Sequence, residues 1–534
     1  MKYILQNLRV DIDRGTDVCD LAVEAALKKL NKASLRAQNI RLSKRSVDAR
    51  KKEDIHYVCS VIFETDAPVN DKILKKLGAN KLAEKKIELT FGDKALEKRP
   101  VIVGMGPCGM FAALLLAENG YRPIVLERGP SVFERKAQID AFYKTGVLNT
   151  SANIQFGAGG AGTFSDGKLV TRINDDRCSY VLERFVQFGA PSDILYNAKP
   201  HLGTDNLLGI VDKISERIQE LGGEIYYNTR VDSVNLKNNA AVCVNTSRGE
   251  IPCGALILAI GHSARDTYKT LVEGGYDIVA KPFSVGVRIE HLQRELDEAM
   301  YGSVAEYLPH AEYSLSKIVG ERGVYSFCMC PGGEVVAAAS EEGGVVTNGM
   351  SNYARDGVNA NAALAVSVLP KDFGNTPLSA IEFQRNLERA AFLAGGGNYF
   401  APAQTVGAFM NAPFVKDHSF GKVTPTYMGG DKTQFCDLNK ILPNFVGEML
   451  KVGIADFGKK IRGFDAEYAV LTGVETRTSA PVRILRNENM RAIGFENIYP
   501  AGEGAGYAGG ITSAAVDGIA VAAKLMSEYS PVVG

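Results

Sequence analysis

The sequence predicts an α/β chain in which a Rossmann-like domain is preceded by a ferredoxin-like βαββαβ module and interrupted by an inserted α+β substrate or cap domain. Three observations carry this prediction. A strand, glycine turn, helix and second strand run without a break from Val101 to Arg128. Residues 1–92 alternate strand and helix patterns in the order β-α-β-β-α-β. A further strand, Gly-rich turn and helix close the chain from Asn497 onward. The expected spans are 1–92 for the module, 99–270 plus 465–534 for the discontinuous nucleotide-binding domain, and 271–464 for the insertion.

The central unit is a dinucleotide-binding fingerprint. An apolar strand (Val101 to Val103) meets Gly104-x-Gly106-x-x-Gly109, a helix follows from Met110 to Glu118, and a second strand (Pro123 to Leu126) ends on Glu127 and Arg128. Gly104 allows the tight turn, Gly106 lets the backbone approach a pyrophosphate, and Gly109 lets helix and strand pack closely. The helix then presents free N–H groups and its positive dipole end to the phosphates. Glu127 stands about 20 residues on, where an acid accepts hydrogen bonds from ribose hydroxyls. A carboxylate there argues against the 2′-phosphate of NADP. Gly157-x-Gly159-x-x-Gly162 and Gly504-x-Gly506-x-x-Gly509 also match the bare pattern, but neither has both flanking strands and the closing acid.

At 534 residues the chain exceeds one compact core and calls for two to four domains. The formal net charge is zero, yet residues 1–98 hold 21 Lys and Arg against 15 Asp and Glu, a +6 module on a −6 remainder. That asymmetry hints at an anionic partner. The nine cysteines are scattered, with only Cys328-x-Cys330 close together, and form neither a disulfide framework nor a zinc site. No metal is expected, and a reducing cytoplasm is the expected compartment. The N-terminus lacks a signal-peptide pattern, and the longest apolar run, Met110 to Ala117, is too short to span a bilayer.

In chain order, the module is expected to comprise strand Tyr3–Asp11, helix Asp17–Leu30, strands Ile40–Val47 and His56–Glu64, helix Val69–Leu77 and strand Lys85–Phe91. Its basic set (Arg41, Lys44, Arg45, Arg50, Lys51, Lys52) reads as a solvated loop in preference to a nucleic-acid surface, because no aromatic set accompanies it. The glycine-rich stretch Phe156 to Lys168 would let backbone amides wrap a phosphate or a cofactor edge. A helix over Asn206–Leu221 precedes strands Glu224–Asn228, Val231–Leu236, Ala240–Thr246 and Ala255–Ile260. The last, a continuous apolar run into Gly261 and His262, reads as a buried parallel strand returning to the nucleotide sheet. An amphipathic helix is expected over Leu378–Leu393, and the final helix begins at Gly509-Gly510.

Together, the unit at Gly104–Glu127, the strand entering Gly261, the Gly502-Glu503-Gly504 turn and the final helix resemble FAD-dependent oxidoreductases with the glutathione-reductase-like fold. Within that superfamily, Phe156–Leu169, Ser326–Gly333, Val345–Met350 and Glu475–Arg483 look like a bacterial family of uncharacterised FAD-dependent dehydrogenases. The resemblance implies FAD as cofactor, with Gly104, Gly106, Pro107, Cys108 and Gly109 at the pyrophosphate and Glu127 and Arg128 at the adenosine. It places Gly159, Gly160, Gly162, Thr163, Ser165, Gly167 and Lys168 in the second cofactor loop. Gly261, Gly502 and Glu503 would follow at the ribityl chain. Gly509, Gly510 and Ile511 would set backbone N–H groups against the flavin pyrimidine ring. Glu503 stands where many relatives carry Asp. No His or Cys stands where a covalent flavin linkage would form, so non-covalent FAD is implied. Neither a second nucleotide unit nor a redox disulfide soon after the first is present, so NADH or NADPH would act only as a transient donor.

Arg477 and Arg483 are candidates to hold a substrate carboxylate or phosphate in a bidentate fork, or else to form ion pairs between domains. His262 is a candidate acid or base, with a structural role as the alternative. Cys328 and Cys330 read as core thiols in preference to a redox pair. The leading expectation is an FAD-dependent oxidoreductase acting on a small, anionic organic molecule. A redox sensor that recruits RNA or a protein through its basic module, and an oxygen-using monooxygenase or oxidase, stay open. Oligomeric state is not readable.

Overall fold

The computed structural model describes residues 1–13, 15–83, 87–411 and 419–532. At the N-terminus, strands Gln38–Asp48, His56–Glu64, Lys2–Val10 and Ala79–Lys81 lie in that order in one antiparallel sheet. Helices Val18–Lys32 and Asp71–Leu77 accompany it, capped by Asp17 and Asn70, whose side chains accept from Cys19 N–H and Lys72 N–H. The closing strand is not the expected 85–91. Gly78, at φ 70°, ends the second helix in a left-handed cap and turns the chain straight into Ala79–Lys81. Part of 85–91 lies outside the described residues; among the rest, Ile87 and Leu89 pack against the core of the nucleotide unit.

The nucleotide unit is a five-stranded parallel sheet in the order Ile498–Pro500, Ala255–Leu258, Pro100–Val103, Ile124–Leu126, Glu224–Tyr226. Because side chains alternate along a strand, Ile102, Val125 and Ile257 enter one core beside helices Pro107–Glu118 and Ile511–Glu528. Val101, Val103, Leu126, Leu256 and Leu258 enter another on the opposite face. Both faces are covered, so the strands read as unbroken apolar runs. A three-stranded antiparallel sheet, Val231–Lys237, Ala240–Thr246 and Gly249–Pro252, lies in the chain before strand Ala255–Leu258.

A seven-stranded sheet forms the rest of the body, in the order Ser316–Val319, Arg322–Cys330, Asn359–Val368, Phe283–Leu292, Val470–Glu475, Ala401–Thr405, Thr433–Phe435. Val470–Glu475 was expected on the nucleotide side of a boundary at 464/465. It pairs instead with Phe283–Leu292 and Ala401–Thr405, so the chain leaves this sheet only after Glu475. Helix Pro377–Ala394 starts with Pro at its first turn and Thr376 as cap, as the amphipathic pattern suggests.

Candidate functional site

The glycine turn is held from both sides. Gly104 N–H donates to Leu126 at 2.8 Å, and at φ 99° a side chain there would meet the Ala259 carbonyl at 2.3 Å. Gly109 lies 2.0 Å, measured from a would-be Cβ, from the Gly104 carbonyl. It therefore permits the close helix–strand packing rather than lining the site. Helix Pro107–Glu118 has Gly106 at its cap and no side chain bonded there, so its first N–H groups remain free for an anion.

The second glycine loop folds onto the first. Gly160 sits against Gly106, with only 2.8 Å between a would-be Gly160 Cβ and the Gly106 Cα. Gly159 N–H donates to the Met105 carbonyl at 2.8 Å. Glu127 organises both loops: its carboxylate accepts from Met105 N–H at 2.9 Å and from Gly129 and Gly157 N–H at 3.0 Å each. Arg135, fully buried in helix Val132–Thr145, does the complementary work. Its guanidinium donates to the carbonyls of Asn153, Ile154, Gly157, Ala158 and Gly160. Burial pushes it down to about 9, with Glu127 acting in the opposite sense. An arginine inside an otherwise ordinary helical stretch gave no sign of this role in the sequence.

These loops open into one cavity of about 340 Å³. Gly104, Gly106, Pro107, Cys108, Glu127 and Arg128 line one part of it. Gly160, Gly162, Ser165, Gly167 and Lys168 line a second, and Gly261, His262, Glu503, Gly509, Gly510 and Ile511 a third. Gly261 and Gly509 face open space, with nothing within 4 Å of a would-be Cβ, and Gly510 meets only the Ser513 hydroxyl, at 3.9 Å. Gly510 caps the 18-residue helix Ile511–Glu528 without a side-chain bond, which leaves a second set of free N–H groups. Gly502, Gly159 and Thr163 do not reach the cavity: Gly502 packs on the Cys108 side chain, and Thr163 fills the space beside Gly159.

The opposite wall comes from Phe327, Cys328 and Glu475 of the seven-stranded sheet, Asn348 of the separate strand pair Glu334–Ala337 and Thr347–Met350, and Arg477 and Thr478 just beyond Glu475. Of these only Arg477 was expected, and its guanidinium is already engaged. It donates to Glu388 at 3.2 and 3.0 Å and to the Ser340 hydroxyl. Burial and the neighbouring Arg265 lower its proton affinity. Glu388 also takes Arg265 at 2.7 and 2.8 Å. Burial opposes the Glu388 charge, but the two guanidinium groups outweigh it and hold the carboxyl well below the usual range. Arg477 is therefore held in an ion pair with Glu388 rather than standing as a free fork. Arg483 does not line the cavity; it donates to the Gly506 carbonyl at 3.0 and 3.3 Å and lies over Tyr507.

His262 lines the cavity but cannot serve as an acid near neutrality. Burial, then Arg477 and Arg265, push its imidazole down to about 3, so it stays neutral and bonds Ser263 through Nδ1 at 2.9 Å. Glu503 behaves in the opposite sense: burial pushes its carboxyl up to about 7, and Lys281 pulls only weakly the other way. Lys168 is buried with no hydrogen-bond acceptor for its ammonium, although Asp166 lies 3.3 Å and Glu312 3.7 Å away. Burial works against its charge, and these two acids outweigh burial and raise its proton affinity. Arg128 stacks over Phe156 at 4.2 Å and donates to Asp266 at 2.9 Å.

A parallel sheet with a glycine cradle at one strand end, two uncapped helix N-termini and an acid after the second strand defines a dinucleotide-binding α/β protein. The chain belongs to the same family as a full-length bacterial relative. It is 46% identical over 544 residues to an uncharacterized protein of Clostridium beijerinckii (strain ATCC 51743 / NCIMB 8052), covering 99% of each. The family model "FAD-dependent protein, C-terminal domain-like" matches residues 282–478, and a domain of unknown function (DUF8436) matches residues 1–64. Distant likenesses among solved structures include CtdE in complex with FAD (12% identity, 82% of this chain and 87% of that one, TM-score 0.33). Others are glycine oxidase from Geobacillus kaustophilus (11%, 81% and 96%, 0.33) and L-proline dehydrogenase from P. horikoshii (14%, 81% and 93%, 0.31).

FAD is the cofactor, and the cavity suits it. Free N–H groups at two helix starts match its anionic and electron-rich parts, and glycines without side chains leave room where the chain approaches it. Among the described residues no helix is long and apolar enough to cross a membrane.

Proposed function

We propose that the chain is an FAD-dependent oxidoreductase that moves a hydride between non-covalently bound FAD and a small, anionic organic substrate. One observation carries this reading: the nucleotide cradle and the wall of the seven-stranded sheet border the same cavity, so a molecule on that wall lies beside the cofactor. When bound, FAD supplies the hydride acceptor or donor.

The chain's own groups bind and orient. N–H groups at the start of helix Pro107–Glu118 hold the pyrophosphate, and Glu127, which carries more lone pairs than its three amide donors use, accepts the adenosine ribose. Amides of Gly509, Gly510 and Ile511 would stabilise the ring edge where negative charge builds on reduction, the Gly509 N–H resting on the Ser513 hydroxyl at 3.3 Å, and Glu503 would hold the ribityl chain. Lys168, paired with Asp166 and Glu312, keeps its charge at the cavity wall, while Arg477 fixes the wall through Glu388. Residues 1–81 form a ferredoxin-like module beside this catalytic body, and NADH or NADPH serves as a transient electron donor.

The test is a visible absorption spectrum of the purified protein, followed by anaerobic addition of NADH or NADPH. The expected result is a yellow protein whose flavin band bleaches with one of the two. A yellow protein that neither bleaches removes the nucleotide donor and leaves the organic substrate as reductant. A colourless protein that takes up no added FAD overturns the reading.

A further inference from the structure

Cys328 and Cys330 stand at a bulge in strand Arg322–Cys330. Phe327 pairs with Ala363 and Cys330 with Asn361, so three steps on one strand answer two on its neighbour. At the bulge Cys328 takes a φ of 45°, a conformation uncommon outside glycine, and Phe327 and Cys328 both line the cavity. The Cys330 thiol turns back and donates to the Cys328 carbonyl at 3.3 Å, which keeps the two cysteines side by side. The bulge is held from beneath. Fully buried Arg288 donates to the Cys328 carbonyl at 2.8 Å and is itself fixed by Glu475 at 2.8 and 2.9 Å.

We propose that Cys328 and Cys330 form a dithiol–disulfide couple that exchanges two electrons with FAD; this rests on the FAD-dependent reading of the cavity. The charges around the pair suit the chemistry. The adjoining Cys330 thiol, then Arg288 and Lys168, lower the proton affinity of the Cys328 thiol against the opposing effect of burial. That favours its thiolate, the form that reacts. Cys330 is pushed the other way and keeps its proton. In the oxidative direction the S–H bond of Cys330 breaks and a bond forms between the two sulfurs. The two electrons and the released proton pass to FAD, leaving it as the singly protonated reduced anion. In the reverse direction the reduced flavin returns that hydride equivalent, the S–S bond breaks, and a thiolate and a thiol are restored. No further oxidant or reductant enters the balance.

The experiment uses the holoenzyme and two measurements. Air-oxidised protein is acid-quenched, treated with N-ethylmaleimide and digested, and the peptide carrying both cysteines is weighed before and after anaerobic reduction. The expected peptide is unalkylated and two hydrogens lighter when oxidised, and doubly alkylated after reduction. In parallel, dithionite titration should take four electrons per FAD in the wild type and two in Cys328→Ser or Cys330→Ser. A yellow wild-type protein that takes two electrons per FAD, with both cysteines alkylated in the oxidised enzyme, overturns the couple and leaves the FAD reading standing. A colourless protein overturns both.

Discussion

Glu503 faces the cavity with no donor holding its charge, and burial raises its carboxyl to about 7 from an ordinary 4.5. The folded protein therefore binds a proton that the unfolded chain has already released between those values. Stability from this group is complete below about 4.5 and is lost as pH rises through about 7. Glu503→Gln removes the titration. The urea midpoint of the FAD-free variant, compared with wild type, should therefore gain steadily between those pH values, by on the order of 2–3 kcal/mol in total. Glu290 is raised in the same direction to about 7, so the wild type alone would not isolate the effect; the difference between the two proteins does. A flat difference across that range would show that Glu503 is solvated or partnered. The residues legible in sequence were those whose constraint is local. Gly104, Gly106 and Glu127 announce themselves because the turn, the close approach and the closing acid fall at fixed spacing in one unit. Arg477 and His262 stayed open between a reactive and a structural role because sequence does not show that Glu388, 89 residues away from Arg477, engages the first, or that Arg477 and Arg265 crowd the second.

At the level of elements, the loop 153–160 has no regular ladder, and its carbonyls converge on a single guanidinium. Arg135 contributes five donors in a rigid fork, and every one of its nitrogens is used on this loop. Arg135→Met keeps comparable bulk and strands those carbonyls without a partner, a change expected to cost about 3–5 kcal/mol. It should lower the urea midpoint and release FAD to the filtrate of a desalting column. Retention of FAD with an unchanged midpoint would show that the loop is held by its glycine contacts alone. The same view explains which elements sequence found. Helix Pro107–Glu118 and strand Ala255–Leu258 are buried on all sides and read as plain apolar runs. Strand Ala79–Lys81 is three residues long and carries no periodicity to detect. The cavity wall at Cys328, Asn348 and Glu475 was invisible for a different reason. It brings together two strands of the seven-stranded sheet and the separate pair Glu334–Ala337 and Thr347–Met350, a juxtaposition that no local pattern encodes.

For the molecule as a whole, the basic N-terminal sheet and the cavity are structurally separate. The module has its own core around Leu5, Ala22, Val61 and Phe63. Its contacts with the body include Arg45, whose side chain donates to Asn197 at 3.0 Å and lies over Tyr196, and Lys52, which donates to the Ala299 carbonyl. None of its described residues lines the cavity. The segment that follows belongs to the body instead: Ile87 and Leu89 join the nucleotide core, and Lys94–Ala95 pairs with Tyr529–Ser530. A chain beginning at residue 83 should therefore keep the parallel sheet, the cradle and bound FAD. Polar docking contacts of this kind contribute roughly 0–1 kcal/mol each, so its urea midpoint should fall only slightly. A truncated protein that purifies folded but colourless would place the module among the determinants of the cofactor site. One that stays yellow and loses reduction by NADH or NADPH would make the module the docking surface for the electron donor, a role its surplus of six positive charges in residues 1–98 suits for a phosphate-bearing nucleotide.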